Sequence, residues 1–375
     1  MWERVTIADF YTEMVIIPVA LLVIVQLVWG RGTNRRKAKS WFAAHAPILQ
    51  KEFASVGFAK GGATQALSEN LGPLDPSTLF KEKTATEFVS YATGRQNVAF
   101  LDIKINLLRR FNPLVLLIEY IAAILFQIAK PPKENVELVM YTFDGREKDL
   151  VPAPVAGEEK VKVSPSGYDG FVWAIVHKDT MKAFRQDRFD VSLTDVKDNP
   201  KLPKWATVMS ESAEISDALL TPELIKAVET AGEDLFENIL ITDMPADKPK
   251  TLDDLEPRKR MSMSLKLPAG NSVSSFDRII PLFSHFVRLP DELVGKGRFR
   301  AEVLRKLKNT REDEAKRVRK IIDDEKADER KIEADKRKKT EREELLRNMT
   351  PAEQRKYLDK EREKSQRKSM RRMKA

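Results

Sequence analysis

Ten basic residues lie between Arg355 and Lys374: Arg355, Lys356, Lys360, Arg362, Lys364, Arg367, Lys368, Arg371, Arg372 and Lys374. Only Asp359, Glu361 and Glu363 oppose them. A lysine- and arginine-rich helix end suits a phosphate backbone, where affinity comes from counterion release rather than from reading bases. Tyr357 is the single aromatic in this stretch, so recognition of single strands by base stacking is not expected. Anionic lipid headgroups are a competing target, and a merely solvated charged helix is the plain alternative.

No comparable set of residues points to catalysis. The chain has no cysteine, which excludes a disulfide framework, a thiolate metal site and a cysteine nucleophile. His45, His177 and His285 are far apart and each sits in an apolar context, where a structural histidine is expected. The glycines of "KGGATQ" and "VGKGRF" lack the spacing and following helix start of a phosphate-binding loop, and no nucleophile elbow is present. Asp253–Asp254 and Glu233–Asp234 lack the alternating ligand spacing of a calcium loop. Neither an enzyme nor a cofactor or metal site is expected.

The basic cluster ends a long charged segment. Residues 301–375 hold 27 Lys/Arg and 18 Asp/Glu, a net of +9, which is the net charge of the whole chain. Residues 1–300 are therefore neutral overall. Glu302–Lys306, Glu312–Lys316, Asp313–Arg317, Glu333–Arg337 and Asp335–Lys339 are spaced for i,i+4 pairing in the favourable order, which predicts an extended helix. Thr350, Pro351 and Glu353 then form a capping-box start for a second helix. A seam of Leu304, Leu307, Val318, Ile321 and Ile332 is interrupted by Arg311, Glu314, Glu325, Asp328 and Asp335, so the tail is coiled-coil-like without a clean heptad repeat.

At the other end, Met14 to Trp29 has no charged residue. With its flanks it supplies about 20 residues, enough to cross a bilayer as a helix. Glu3, Arg4, Asp9 and Glu13 precede the run, whereas Arg31, Arg35, Arg36, Lys37 and Lys39 follow it. Basic flanks stay cytosolic, so residues 1–13 are expected in the lumen, 14–30 in the lipid bilayer and everything beyond in the cytosol. A signal peptide would place its positive charge before the apolar run; here it lies after.

Residues 31–300 read as a cytosolic α/β or α+β domain. Trp41, Phe42, His45, Leu49 and Phe53 recur at helical spacing. "VAFLDIKINLL", "VELVMYTFDG", "GFVWAIVH" and "MSMSLKLP" read as strands, and "KDTMKAFRQDRFD", "TPELIKAVETAGEDLFENIL" and "FDRIIPLFSHFVRL" as helices. "VPAPVAGEEKVKVSPSGYDG" reads as a surface loop. A second apolar run, Leu114 to Ala129, has Glu119 in its middle and basic residues on both sides. It reads as a helix packed on a sheet or lying at the membrane surface.

One span, a neutral mixed domain and a charged helical tail occur together with "DLFENILITDMP", "SLKLP", "FDRIIPLFSHFVRLPDEL" and "QRKSMRRMKA". In these features, in order from about Tyr11 to the C-terminus, the chain resembles the coiled-coil domain-containing protein 47 (calumin) family of endoplasmic reticulum membrane proteins. The resemblance implies a subunit of the protein-associated-with-translocon complex. Its partners would be the small membrane protein Asterix, the Sec translocon, the ribosome and nascent multipass membrane proteins. It gives the basic residues from Arg355 to Lys374 a concrete target in ribosomal RNA. Animal members carry a long acidic luminal region linked to calcium; about 13 residues precede the span here, so luminal calcium storage is not expected to carry over. A membrane-tethered lipid-binding domain and a calcium-homeostasis protein are the alternative functions.

Overall fold

The computed structural model describes residues 10–58, 76–126, 131–145, 166–347, 349 and 351–373. They form two compact units. One runs to Pro249 and resumes over Asp254–Arg311; the other holds Lys250–Asp253 and Glu312 onward.

The first unit is built on one sheet, ten-stranded among the described residues. Its strands are β1 (Ser55–Val56), β2 (Lys81–Glu82), β3 (Glu87–Arg95), β4 (Val98–Asn106), β5 (Asn135–Thr142), β6 (Trp173–His177), β7 (Asp195–Lys197), β8 (Ala206–Ser210), β9 (Phe236–Thr242) and β10 (Arg260–Lys266). Their order is β1-β3-β4-β5-β10-β9-β6-β8-β7, with β2 against β3. All the described pairings are antiparallel, so of the two classes expected from sequence the chain is α+β. On β3 and β4 buried and accessible residues alternate, whereas every residue of β6 and β8 is buried. That is the pattern of strands covered on one face and on two.

The larger core fills one face of the sheet. It joins Phe88, Ile103, Met140 and Ile239 of the strands to Trp41, Phe42 and Leu49 of helix α1 (Tyr11–Glu52). Helices α6 (Pro222–Ala231) and α7 (Ile280–Lys296) complete it with Leu224, Val228, Phe283 and Phe286. Helices α3 (Lys178–Asp187) and α4 (Phe189–Ser192) set Met181, Phe184 and Phe189 against Val172, Ala174, Val176, Met209 and Leu240 in a second, smaller core. Helix α2 (Pro113–Phe126) and the short α5 (Ala213–Leu219) complete this unit up to helix α8 (Ala301–Arg347). Val303 and Leu307 of α8 join the large core.

Two readings change. The predicted span and the predicted amphipathic helix from Trp41 are one continuous helix, α1. "TPELIKAVETAGEDLFENIL" is helical only to Ala231. Gly232, at φ +80°, takes a conformation that favours glycine, and Phe236 onward is strand β9. The pattern misled because β9 is buried on both faces and reads as an apolar run without alternation. "VPAPVAGEEKVKVSPSGYDG" lies, up to residue 165, outside the described residues.

The second unit is helical: the rest of α8 and helix α9 (Pro351–Met373). Several ion pairs on α8 take i,i+3 spacing, as in Asp313–Lys316, Glu314–Arg317 and Asp328–Lys331. Arg317 thus pairs with Glu314.

Candidate membrane-proximal site and basic tail

From Glu13 to Trp29, every residue of α1 except the half-buried Gln26 is exposed, including Leu22, Val25 and Val28. Only 6% of its most apolar window is buried. A patch of this size is not left in water by a soluble domain. At Gly30 the exposed run stops, because the chain around Phe111 packs there.

Gln26, Gly30, Asn34 and Lys37 are spaced by four, four and three residues, which places them on one face of α1. The segment around Leu108–Phe111 lies across that face. Gln26 Nε2 donates to the Arg110 carbonyl at 2.9 Å. Asn34 Nδ2 donates to the carbonyls of Ala85 and Leu108, both at 2.9 Å, and Asn34 Oδ1 accepts from Arg110 Nη1 at 2.9 Å. A β-carbon on Gly30 would lie 2.5 Å from Phe111 Cα and 2.6 Å from the Arg110 carbonyl carbon. Glycine is therefore what permits this approach.

The clamp closes on an ion cluster. Lys37 is wholly buried and donates to Glu134 Oε2 at 2.6 Å and to the Pro268 carbonyl at 2.5 Å. Glu134 Oε1 accepts from Arg110 Nη1 and, at 3.3 Å, from the Leu108 amide. Burial pushes the Glu134 carboxyl up, but its bonds to Arg110 and Lys37 outweigh that and hold it below the ordinary value. The five basic residues grouped on sequence as topology signals thus divide. Arg31, Arg35, Arg36 and Lys39 are exposed, and Arg31 reaches Glu82 at 3.5 Å; Lys37 is a core residue. Sequence reasoning passed over Asn34, Arg110 and Glu134. The helical spacing of Gln26, Gly30, Asn34 and Lys37 was the available signal, hidden because the partners lie 51 to 231 positions away.

Helix α2 begins where this segment leaves α1. Asn112 caps it, its Oδ1 accepting from the Val115 amide at 3.2 Å, and Pro113 occupies the first helical position. None of residues 113–125 is buried. Leu114, Leu117, Ile118, Ile121, Ile124 and Leu125 are 44% to 73% exposed, at spacings that make one helical face. Glu119 pairs with Arg109 at 3.2 Å.

The histidines are structural in their surroundings. His45 is fully buried, stacks on Trp41 at 4.0 Å between centroids and shares a 2.8 Å bond with the Trp41 carbonyl. Burial lowers its pKa to about 4, against which that backbone bond raises it. His177 faces Asp179 with Nδ1 and Glu233 with Nε2, each at 3.8 Å. The two carboxylates thus lie at opposite ring nitrogens, and Nδ1 already accepts from the Asp179 amide. His285 sits 3.7 Å from Glu292 beside an open depression that is also lined by Lys226 and Arg288.

Arg311, in α8, fastens the start of that helix to the sheet. Its Nη2 reaches Glu211 Oε2 at 2.9 Å and Asp243 Oδ1 at 2.7 Å, and its Nη1 also meets Glu211. Among the predicted tail residues, Arg355, Lys356, Lys360, Arg362 and Arg367 are exposed on α9. Lys364, Lys368, Arg371 and Arg372 belong to the same helix. Lys374 lies outside the described residues.

A family described as PAT complex subunit CCDC47 matches the chain over residues 9–368, from the start of α1 through the clamp and the sheet into α9. The chain belongs to the CCDC47 family. A UPF0674 endoplasmic reticulum membrane protein of Schizosaccharomyces pombe is 27% identical over 314 residues, covering 83% of this chain and 75% of that protein. A second such protein, from Saccharomyces cerevisiae, is 25% identical over 259 residues, 68% of this chain and 60% of the relative. PAT complex subunit CCDC47 of Danio rerio is 21% identical over 307 residues, 78% of this chain and 54% of the relative. The chain thus spans about half the length of the vertebrate CCDC47 proteins it matches. The resemblance read from the sequence is borne out. The two UPF0674 relatives are endoplasmic reticulum membrane proteins by name, and α1 supplies a helix long and apolar enough to cross a membrane.

Proposed function

We propose that this chain is a non-enzymatic factor of the endoplasmic reticulum membrane. In this reading it works at the ribosome-bound Sec translocon, beside an Asterix-like small membrane protein, and assists the insertion and folding of nascent multipass membrane proteins. Family membership supports a role as a subunit of a complex. The exposed Arg31, Arg35, Arg36 and Lys39 immediately after the apolar run support a luminal N-terminus and a cytosolic body.

The observation that carries the reading is the basic surface of α9, where Arg355, Lys356, Lys360, Arg362 and Arg367 are exposed. Phosphates of ribosomal RNA are its target, and docking is electrostatic. Held in this way, the body sits beside the exit site where substrate helices emerge. Salt-dependent co-sedimentation of the detergent-solubilised protein with purified ribosomes tests this, comparing the full chain with one ending at Met349. Binding that is lost on truncation and weakens steeply with salt is the expected result. Equal binding by both chains would move the contact to the body, and no binding by either would overturn ribosome attachment.

A further inference from the structure

We infer that α2 is a second membrane element: a short helix seated among the acyl chains of the cytosolic leaflet, entering and leaving on the same side. The inference rests on α1 being the span.

Both feet of the α2 excursion stand on the clamp. Before the helix, the Leu108 and Arg110 carbonyls are held by Asn34 and Gln26 of α1. After it, Glu134 binds Lys37 of α1 and Arg110 of the first foot. The chain then enters β5 at Asn135. The clamp begins at Gln26 and Gly30, where the exposed apolar run of α1 ends. The first foot, from which α2 departs, therefore stands level with the end of the exposed apolar run of α1, whereas the second, at Lys37, is held roughly 12 Å further along the helix.

Length and chemistry agree. Fourteen residues rise roughly 21 Å, short of the ~30 Å hydrocarbon core, so α2 enters the bilayer without crossing it. A helix satisfies its backbone polar groups internally, as lipid requires. Glu119 is the one charged residue from Pro113 to Phe126, and Arg109 neutralises it. The face formed by Leu117, Ile118, Ile121 and Ile124 is exposed and wholly apolar.

The absence of native cysteine permits a clean test on the full-length chain. Val23→Cys, Leu117→Cys, Ile121→Cys, Ile124→Cys and Glu229→Cys are each labelled with nitrobenzoxadiazole and reconstituted into phosphatidylcholine vesicles carrying doxyl-labelled acyl chains. Quenching at Leu117, Ile121 and Ile124 comparable to that at Val23, with none at Glu229 on the sheet-packed α6, supports the inference. Quenching at Val23 with water-exposed, unquenched α2 positions overturns it while leaving the span intact. Shielded but unquenched α2 positions overturn it in favour of a protein occupant. Absence of quenching at Val23 itself removes the span reading and this inference with it.

Discussion

Lys37 and Glu134 meet at 2.6 Å, with both side chains out of solvent. This pair joins α1, beyond its apolar run, to the far side of the α2 excursion. Breaking a buried pair leaves an uncompensated charge and typically costs about 3–5 kcal/mol. Lys37→Met is expected to lower thermal stability in detergent by this order. Because the folded-state carboxyl of Glu134 lies below its ordinary 4.5, its contribution is present above that pH and is lost as pH falls through the folded value. The variant is expected to lose part of this acid sensitivity, measured as melting temperature against pH.

Two neighbouring glycines separate packing from helix propensity. Gly30→Ala drives a methyl into the Arg110–Phe111 backbone and is expected to destabilise by about 1–3 kcal/mol, as overpacking does. Gly32→Ala meets nothing within 4 Å and is expected to be neutral or to stabilise by up to about 1 kcal/mol, because alanine is the better helix former. Denaturant or thermal unfolding of the two variants side by side checks the contrast.

His45 sets a pH window. Its folded pKa of about 4 lies below the ordinary 6.5, so the unfolded chain takes up the proton first. Stability is full above pH 6.5 and falls by about 1.4 kcal/mol per unit as pH drops toward 4, a ceiling of roughly 3 kcal/mol. In His45→Leu this part of the pH dependence is expected to vanish, whatever the change in absolute stability. Unfolding free energies measured between pH 4 and 7 decide the matter.

Arg311 neutralises two buried carboxylates. Burial pushes the Glu211 carboxyl up, while Arg311 pulls it down. Arg311→Met leaves Glu211 and Asp243 facing each other without a cation and is expected to lower stability by about 3–5 kcal/mol. Adding Glu211→Gln and Asp243→Asn to the variant should restore part of the loss. A stability equal to wild type for Arg311→Met would show that the cluster contributes nothing.

In the proposed docking on RNA, the charge of α9 is expected to set the salt dependence. Replacing Arg355, Lys356, Lys360, Arg362 and Arg367 by Gln removes five exposed cations. The slope of log affinity against log salt should become shallower by roughly 0.7–0.9 for each residue that contacts a phosphate. Ribosome co-sedimentation across a salt series gives the slope directly. An unchanged slope would place the RNA contact elsewhere.

Much of the architecture was legible because it depends on local pattern. The apolar run, its basic flank and the segregation of charge into residues 301–375 are one-dimensional features. The capped α6 followed from Thr221, whose hydroxyl accepts from the Leu224 amide at 3.2 Å, and from Pro222 beside it. Strand β9 was misread because burial on both faces erases the alternation that marks a strand.

The sequence by itself determined that this chain has a membrane-length apolar helix, a neutral mixed body and a basic helical tail. Only the tertiary structure decided that Lys37 is a buried clamp residue while its neighbours Arg35 and Arg36 are exposed. Composition and periodicity count the charges along a helix. Whether a given charge is solvated or desolvated depends on which partners the fold delivers to it, and those of Lys37 come from Glu134 and Pro268, 97 and 231 positions away.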